Sequence, residues 1–271
     1  MYKVKFQKIG KIAGMHYTKK KKPDTLIIYG IGAPIPPDNG TLPDAKIIYQ
    51  FEVDIFVPDY IGFGRSDGRF TPKNCIQTFI ILFHAFSKGY WAKNAYDNSK
   101  VFLQYKRIIF IGRSLGATYV PLLPRFCPEI KEIAIFCPVV DSKSCGSVQG
   151  EESNEDFLRS MKQDGYYHLY RGILTKEWEN HLENKDDLSP MENISFLKDA
   201  KLFIGHGKKD VCVNFTKSEV YYQKIIQMFP QKKHEVVLKI YPKGDHGPTT
   251  TNKAVFDFLM WLKLKKITMV E

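Results

Sequence analysis

The sequence predicts an α/β fold, a mostly parallel sheet covered by helices on both faces. Three observations point there. Short apolar runs alternate with longer helical patterns, as strands joined by crossover helices do. Several of these runs end in polar or glycine-rich loops, where open parallel sheets collect their functional groups. The chain of 271 residues, 44% hydrophobic and 14% aromatic, is long enough for one sizeable core carrying an insertion.

The elements follow in order. "YKVKFQKIGKIAGMHYT" alternates polar and apolar residues and predicts two antiparallel strands joined near Gly10. "TLIIYG", Thr25–Gly30, reads as a buried strand running into the loop "IGAPIPPDNG", and "VDIFVPDY", Val53–Tyr60, as the next, ending in "IGFGRSDGR". "TPKNCIQTFIILFHAFSKG" is a strong helical pattern with Thr71 as N-cap before Pro72. Then come a strand in "RIIFIG", a helix after Ser114 and a strand in "EIAIFCPVVD", Glu132–Asp141. "KLFIGHGKKD" and "HEVVLKIYPKGDH" supply two more strands, each ending in a polar loop. "NKAVFDFLMWLKLKK" predicts a closing amphipathic helix whose last turns are basic, as the helix dipole favours. Residues 142–198 carry no strand signal and are too long for a plain connection. They read as a helical cap inserted into a single domain spanning 1–271.

Charge and cysteine content narrow the setting. The 40 Lys and Arg against 29 Asp and Glu give a formal charge of +11, which favours anionic encounters without specifying chemistry. The run Lys19–Lys22 reads as a solvated loop, with no nucleic-acid motif beside it. Five cysteines, Cys75, Cys127, Cys137, Cys145 and Cys212, lack metal-ligand spacing and sit largely in apolar runs, so a cytoplasmic, reducing setting is expected. The N-terminus has no continuous apolar core for a signal peptide, and "IQTFIILFHAF" is too short and polar to span a bilayer.

The chemistry centres on "RIIFIGRSLGATYVPLLP", where Ser114 stands between Gly112 and Gly116. Gly-x-Ser-x-Gly between a strand and a helix lets the chain turn tightly enough to expose the serine oxygen, and it aims the Leu115 N–H at the same spot. A serine hydroxyl needs a base within hydrogen-bond reach, in a loop at the carboxyl end of a later strand. Among seven histidines, His16 lies in the N-terminal hairpin, His84 on a helix, His168 and His181 in the insertion, and His234 at a strand start. His206 reads as a loop-shaping residue bonded to backbone. His246, between the last strand and the last helix, is the candidate base. Asp210 is the favoured orienting acid, Asp141 its rival one strand earlier, and Asp245 a loop hydrogen-bonder beside the histidine.

The order Ser114, Asp210, His246 and the stretches "LIIYGIGAP", "DYIGFGRSDG", "IGRSLGA", "HGKKDVCV" and "GDHG" resemble the α/β-hydrolase superfamily, over nearly the whole chain outside the insertion. The chain is most similar to compact lysophospholipase-like and prolyl-oligopeptidase-like members. The resemblance makes "DYIGFGRSDG" a structural turn, so Asp59 and Ser66 are not expected to do chemistry. It also implies an oxyanion hole built from the backbone N–H groups of Leu115 and Ile31. Tyr29 replaces the family's usual histidine. Ile31 stands where prolyl oligopeptidases carry an oxyanion-binding tyrosine, which argues against that peptidase type. Pro121, seven residues past Ser114, predicts a kinked or shortened helix after the turn.

The leading expectation is a serine hydrolase of carboxylic esters, with an acyl pocket lined by Tyr29, Tyr166, Tyr167, Tyr170 and Trp178. Those aromatics have a second reading, as packing between the insertion and the sheet. A peptidase, amidase or acyltransferase would use the same triad. A ligand-binding protein on a retired scaffold would show a displaced triad member. No cofactor, metal, nucleic acid or integral membrane segment is expected, and the oligomeric state stays open.

Overall fold

The computed structural model describes residues 2–42, 45–163 and 166–267. Its strands are β1 (Lys3–Ile9), β2 (Ile12–Thr18), β3 (Thr25–Gly30), β4 (Asp54–Pro58), β5 (Tyr90–Asn94), β6 (Lys100–Leu103), β7 (Arg107–Arg113), β8 (Glu132–Phe136), β9 (Lys201–Gly207) and β10 (Val236–Tyr241). They form one sheet in the order β10-β9-β8-β7-β3-β4-β2-β1-β5-β6. From β10 to β4 neighbouring strands are parallel, and from β4 to β6 they are antiparallel. The central strands are apolar because both faces are covered: Leu26, Ile27 and Ile28 in β3 and Ile109, Phe110 and Ile111 in β7 are all buried.

Helices close the faces. α1 (Pro72–Lys88) starts as expected, with the Thr71 hydroxyl accepting from the Asn74 N–H at 3.1 Å and Pro72 at the first position. Its Cys75, Ile76, Phe79, Leu82 and Phe86 recur at helical spacing and are buried. α2 (Leu115–Tyr119) follows Ser114, a 3-10 turn spans Val120–Leu122, and α3 (Leu123–Phe126) follows. Pro121 has the effect its missing N–H dictates, a shortened helix with a tightened continuation. The insertion holds α4 (Asn154–Lys162), α5 (Tyr166–Leu169) and α6 (Thr175–Leu182), and the chain ends through α7 (Thr216–Met228) and α8 (Pro248–Trp261). α1 contacts β7, α7 contacts β10, and α8 contacts β8 and β9.

Two expectations are corrected. The sheet extends past the N-terminal hairpin by a second hairpin, β5–β6, which pairs with β1 through Gln7–Asn94 and Lys8–Lys93. The last helix ends at Trp261, and Lys263, at φ 56°, is already outside it. The basic residues therefore follow the helix rather than occupy its last turn. The lysine run does form an exposed connection, after β2, in Lys20, Lys21 and Lys22. Lys19 is held there by its N–H on Asp54 and its ammonium over the Tyr2 ring.

The insertion is fastened in its middle. The Gly64 N–H donates to the Leu169 carbonyl, the Arg171 N–H to Gly62 and the Phe70 N–H to Arg171, at 2.7–2.9 Å. Tyr170 stacks on Phe63 at 4.8 Å, and Trp178 stacks on Phe70 at 5.0 Å while its Nε1–H donates to the Phe70 carbonyl.

Candidate active site

Ser114 stands where β7 ends, at φ 52° and ψ −118°, a strained conformation for a residue with a side chain. The surroundings enforce it. The Ser114 N–H donates to the Phe136 carbonyl on β8, and the Gly116 N–H donates to the Ile31 carbonyl, which also accepts from Tyr60 Oη at 2.7 Å. A Cβ on Gly116 would lie 2.4 Å from the Gly30 oxygen, so only glycine lets α2 come this close to the loop after β3. Leu115 is the first residue of α2, and its N–H belongs to the group that a helix start leaves without an intrahelical acceptor.

The predicted base and acid converge on this serine from two other loops. His246 follows β10, and its Nε2 lies 3.0 Å from Ser114 Oγ. Its Nδ1 lies 2.7 Å from Asp210 Oδ2, in the loop after β9. Asp210 Oδ1 accepts two backbone N–H bonds, from Cys212 and Val213, both at 2.9 Å. A carboxylate only accepts, so His246 Nδ1 carries the hydrogen and Nε2 offers its lone pair to the serine hydroxyl. Burial alone would push the Asp210 carboxyl up. Hydrogen bonds from His206 and His246 outweigh it and hold the group well below the usual carboxylate range.

The other acids lie elsewhere. Asp141 Oδ1 accepts from Asn184 Nδ2 at 2.7 Å, and Asp245 bonds the Gly247 N–H and the Thr249 hydroxyl. Asp59 pairs with the Arg65 guanidinium, and the Ser66 hydroxyl bonds Ala13 and Asp59 backbone, so both brace the turn after β4.

Three neighbours add detail that sequence reasoning missed. The Arg113 guanidinium donates to the His246 carbonyl at 2.6 Å and so holds the histidine loop. His206 bonds backbone at Val213 as expected, and it also reaches Asp210 Oδ2 at 3.1 Å. Its place four residues before Asp210 was visible, but which carboxylate oxygen it meets is set by the fold of the loop. The Cys137 thiol lies with Asp210 and His246, their donor atoms all within 4.8 Å of one another. Burial, aided by the Asp210 carboxylate, pushes this thiol well above its ordinary value and so favours its protonated form.

A cavity of about 240 Å³ opens beside Ser114. Gly32, Ala33, Pro34 and Ile35 form one wall, and the insertion supplies Glu152, Asn154, Phe157, His181 and Leu182. Burial pushes the Glu152 carboxyl up, with the nearby His246 charge opposing. The insertion therefore meets the site, and the described members of the expected aromatic set take a different place. Tyr170 and Trp178 do not line this cavity; both are buried against Phe63 and Phe70, which is the packing reading of those rings. Tyr29 lines a second cavity with Ile31, Pro36 and Asn39, which shares Ile35 and Arg113 with the first. The side chains of Tyr166 and Tyr167 lie outside the described residues. No helix among the described residues is long and apolar enough to cross a membrane.

No family profile and no curated protein matches the sequence. Solved structures do resemble the fold. The Pyrococcus furiosus esterase Pf2001 aligns with 96% of this chain and 92% of its own at 16% identity and a TM-score of 0.60. The Pyrococcus horikoshii acylaminoacyl peptidase aligns with 100% of this chain and 43% of its own at 13% identity and a TM-score of 0.60. A puromycin-hydrolyzing peptidase of Mycobacterium tuberculosis aligns with 91% of this chain and 36% of its own at 12% identity and a TM-score of 0.59. Identities this low speak for architecture alone, and by architecture this chain has the α/β-hydrolase fold.

Proposed function

We propose that the protein is a serine hydrolase that cleaves a carboxylic ester through an acyl-enzyme. Ser114 Oγ attacks the carbonyl carbon while His246 Nε2 takes its proton, and the imidazolium then returns that proton to the departing alkoxide. Water, deprotonated by His246, attacks the acyl-enzyme and releases the acid. Asp210 fixes the tautomer of His246 and stabilises the imidazolium. The N–H groups of Leu115 and Ile31 hold the oxyanion, each donor contributing on the order of 10²–10³ in rate.

One observation carries the reading: the continuous chain from Ser114 Oγ to His246 at 3.0 Å and on to Asp210 at 2.7 Å. A retired binding scaffold would have no reason to keep both contacts beside a strained serine. The cavity of about 240 Å³ lies below the range of roughly 300–1,000 Å³ that holds drug-sized ligands, which favours acyl groups of modest length. The substrate is thus a small-molecule ester, and five free thiols fit a cytoplasmic setting. A peptidase or acyltransferase would use the same three side chains. A panel of p-nitrophenyl esters of rising chain length, run beside aminoacyl-nitroanilides, separates the leaving groups. A fluorophosphonate probe should label the wild type and spare Ser114→Ala; equal labelling of both defeats the nucleophile assignment.

A further inference from the structure

We propose that His206 is a positioning residue for this reaction, holding Asp210 in one orientation as the acceptor that His246 faces. The proposal rests on the roles just given to Ser114, His246 and Asp210. His206 is the penultimate residue of β9 and is fully buried. Its Nε2 lies between two acceptors, Asp210 Oδ2 at 3.1 Å and the Val213 carbonyl at 3.0 Å. Neither can donate a hydrogen, so Nε2 carries it. On the other side of the ring, Nδ1 lies 2.7 Å from Ser218 Oγ on α7, whose hydroxyl hydrogen it accepts. The ring is therefore satisfied while neutral, and its tautomer is set by its partners.

Asp210 consequently receives four hydrogen bonds. His246 and His206 both donate to Oδ2, and the Cys212 and Val213 N–H groups both donate to Oδ1. These four donors, with the Cys137 thiol beside them, hold the carboxylate in the orientation that faces His246. The second imidazole also draws negative charge from the oxygen that His246 uses. Without it, Oδ2 would act on His246 alone and favour the imidazolium more strongly, which moves the acid limb of the pH–rate profile to higher pH. The other titratable or charged groups near this carboxylate and His246 are Cys137, Cys212, Arg113 and Glu152. Of these, the Cys137 thiol also hydrogen-bonds the Asp210 carboxylate.

The test measures the second-order rate of Ser114 labelling by a fluorophosphonate across pH, in the wild type, His206→Phe and His206→Gln, each with its unfolding temperature. Phenylalanine keeps the ring volume and removes both nitrogens, whereas the glutamine amide can still donate to Asp210. The expected result is a loss of about 10- to 100-fold for His206→Phe, the worth of one hydrogen bond to a charged group. Its acid limb should shift upward, and His206→Gln should recover most of the rate. A folded His206→Phe that labels at the wild-type rate with an unmoved limb overturns the proposal. So does a His206→Gln as impaired as His206→Phe at equal stability. If His206→Phe does not fold, His206→Gln must stay within about tenfold of the wild-type rate, and a larger loss overturns it. A wild type that takes no label at Ser114 fails the hydrolase reading itself, a result distinct from all of these.

Discussion

Replacing Asp210 with asparagine tests the site most sharply, because the carboxylate is met by four donors and an amide offers only one acceptor atom. If the amide oxygen faces His246 and His206, its NH₂ faces the Cys212 and Val213 N–H groups, and two loop bonds of 2.9 Å are lost. If it faces the loop, its NH₂ faces the two imidazoles, and His246 must present Nδ1 as an acceptor. The hydrogen then moves to Nε2, which can no longer accept from Ser114. Either way two donors are opposed, and in the second orientation the base is lost. The expected fall in turnover is on the order of 10³–10⁴, or about 4–5 kcal/mol of transition-state stabilisation. Asp141→Asn is the matched control, since Asp141 Oδ1 only accepts from Asn184 and an amide oxygen can do the same. It should stay within about threefold of wild type, as substitutions away from special features do. Both variants are assayed on p-nitrophenyl esters and with the fluorophosphonate, with circular dichroism to confirm folding. An Asp210→Asn enzyme within tenfold of wild type, or an inactive Asp141→Asn, would refute the assignment.

Other predictions concern the surroundings of the site and the core. Gly116→Ala should lower the unfolding temperature by several degrees, because its Cβ would sit 2.4 Å from the Gly30 oxygen and overpacking of this kind costs about 1–3 kcal/mol; unchanged melting would contradict the close approach. Gly32→Ala places a methyl 2.9 Å from Ser114 Cβ and 3.4 Å from its Oγ, so labelling of Ser114 should slow more than tenfold and melting should fall as well, an unchanged labelling rate counting against a substrate path past Gly32. His16 is buried between Gln7 and Tyr105, and burial, aided by Lys5 and Lys22, pushes it down to about 3. The unfolded chain binds this proton near pH 6.5, so the folded state loses stability as pH falls from there toward 3, with a slope approaching about 1.4 kcal/mol per pH unit. In His16→Gln that slope should fall by one proton's worth, and denaturant titrations at pH 7, 5.5 and 4 that show equal slopes would sink the idea.

Much of this arrangement could be read before any coordinates. The strands β3, β7, β8 and β9 announce themselves because a parallel strand covered on both faces must be apolar throughout, as in "LIIYG" and "RIIFIG". Thr71 and Pro72 mark their helix through local chemistry, and Ser114, Asp210 and His246 stand at strand ends that periodicity alone locates. What stayed hidden depends on contacts distant in sequence. The β5–β6 hairpin is half exposed, and its partner β1 lies some eighty positions earlier, so neither composition nor alternation singles it out. Tyr170 and Trp178 look like pocket residues in a list and become core residues only once Phe63 and Phe70 are placed against them. The end of α8 is decided by Lys263 turning to positive φ, which the apolar period running past it does not reveal.

The fastening of the insertion has a mechanical consequence. A cover hinged at both ends, 142 and 198, would swing as one flap, but this one is riveted near its centre by three main-chain bonds and the rings of Phe63, Tyr170, Phe70 and Trp178. The rivet divides the cover into two arms. The first arm bears Glu152, Asn154 and Phe157 on the cavity, and the second bears His181 and Leu182. The first arm is tied down as well: Phe157 packs on Trp178, Glu151 pairs with Lys217, and Asn154 Nδ2 donates to the Leu182 carbonyl, so lifting it would part a ring of the rivet and break a buried ion pair.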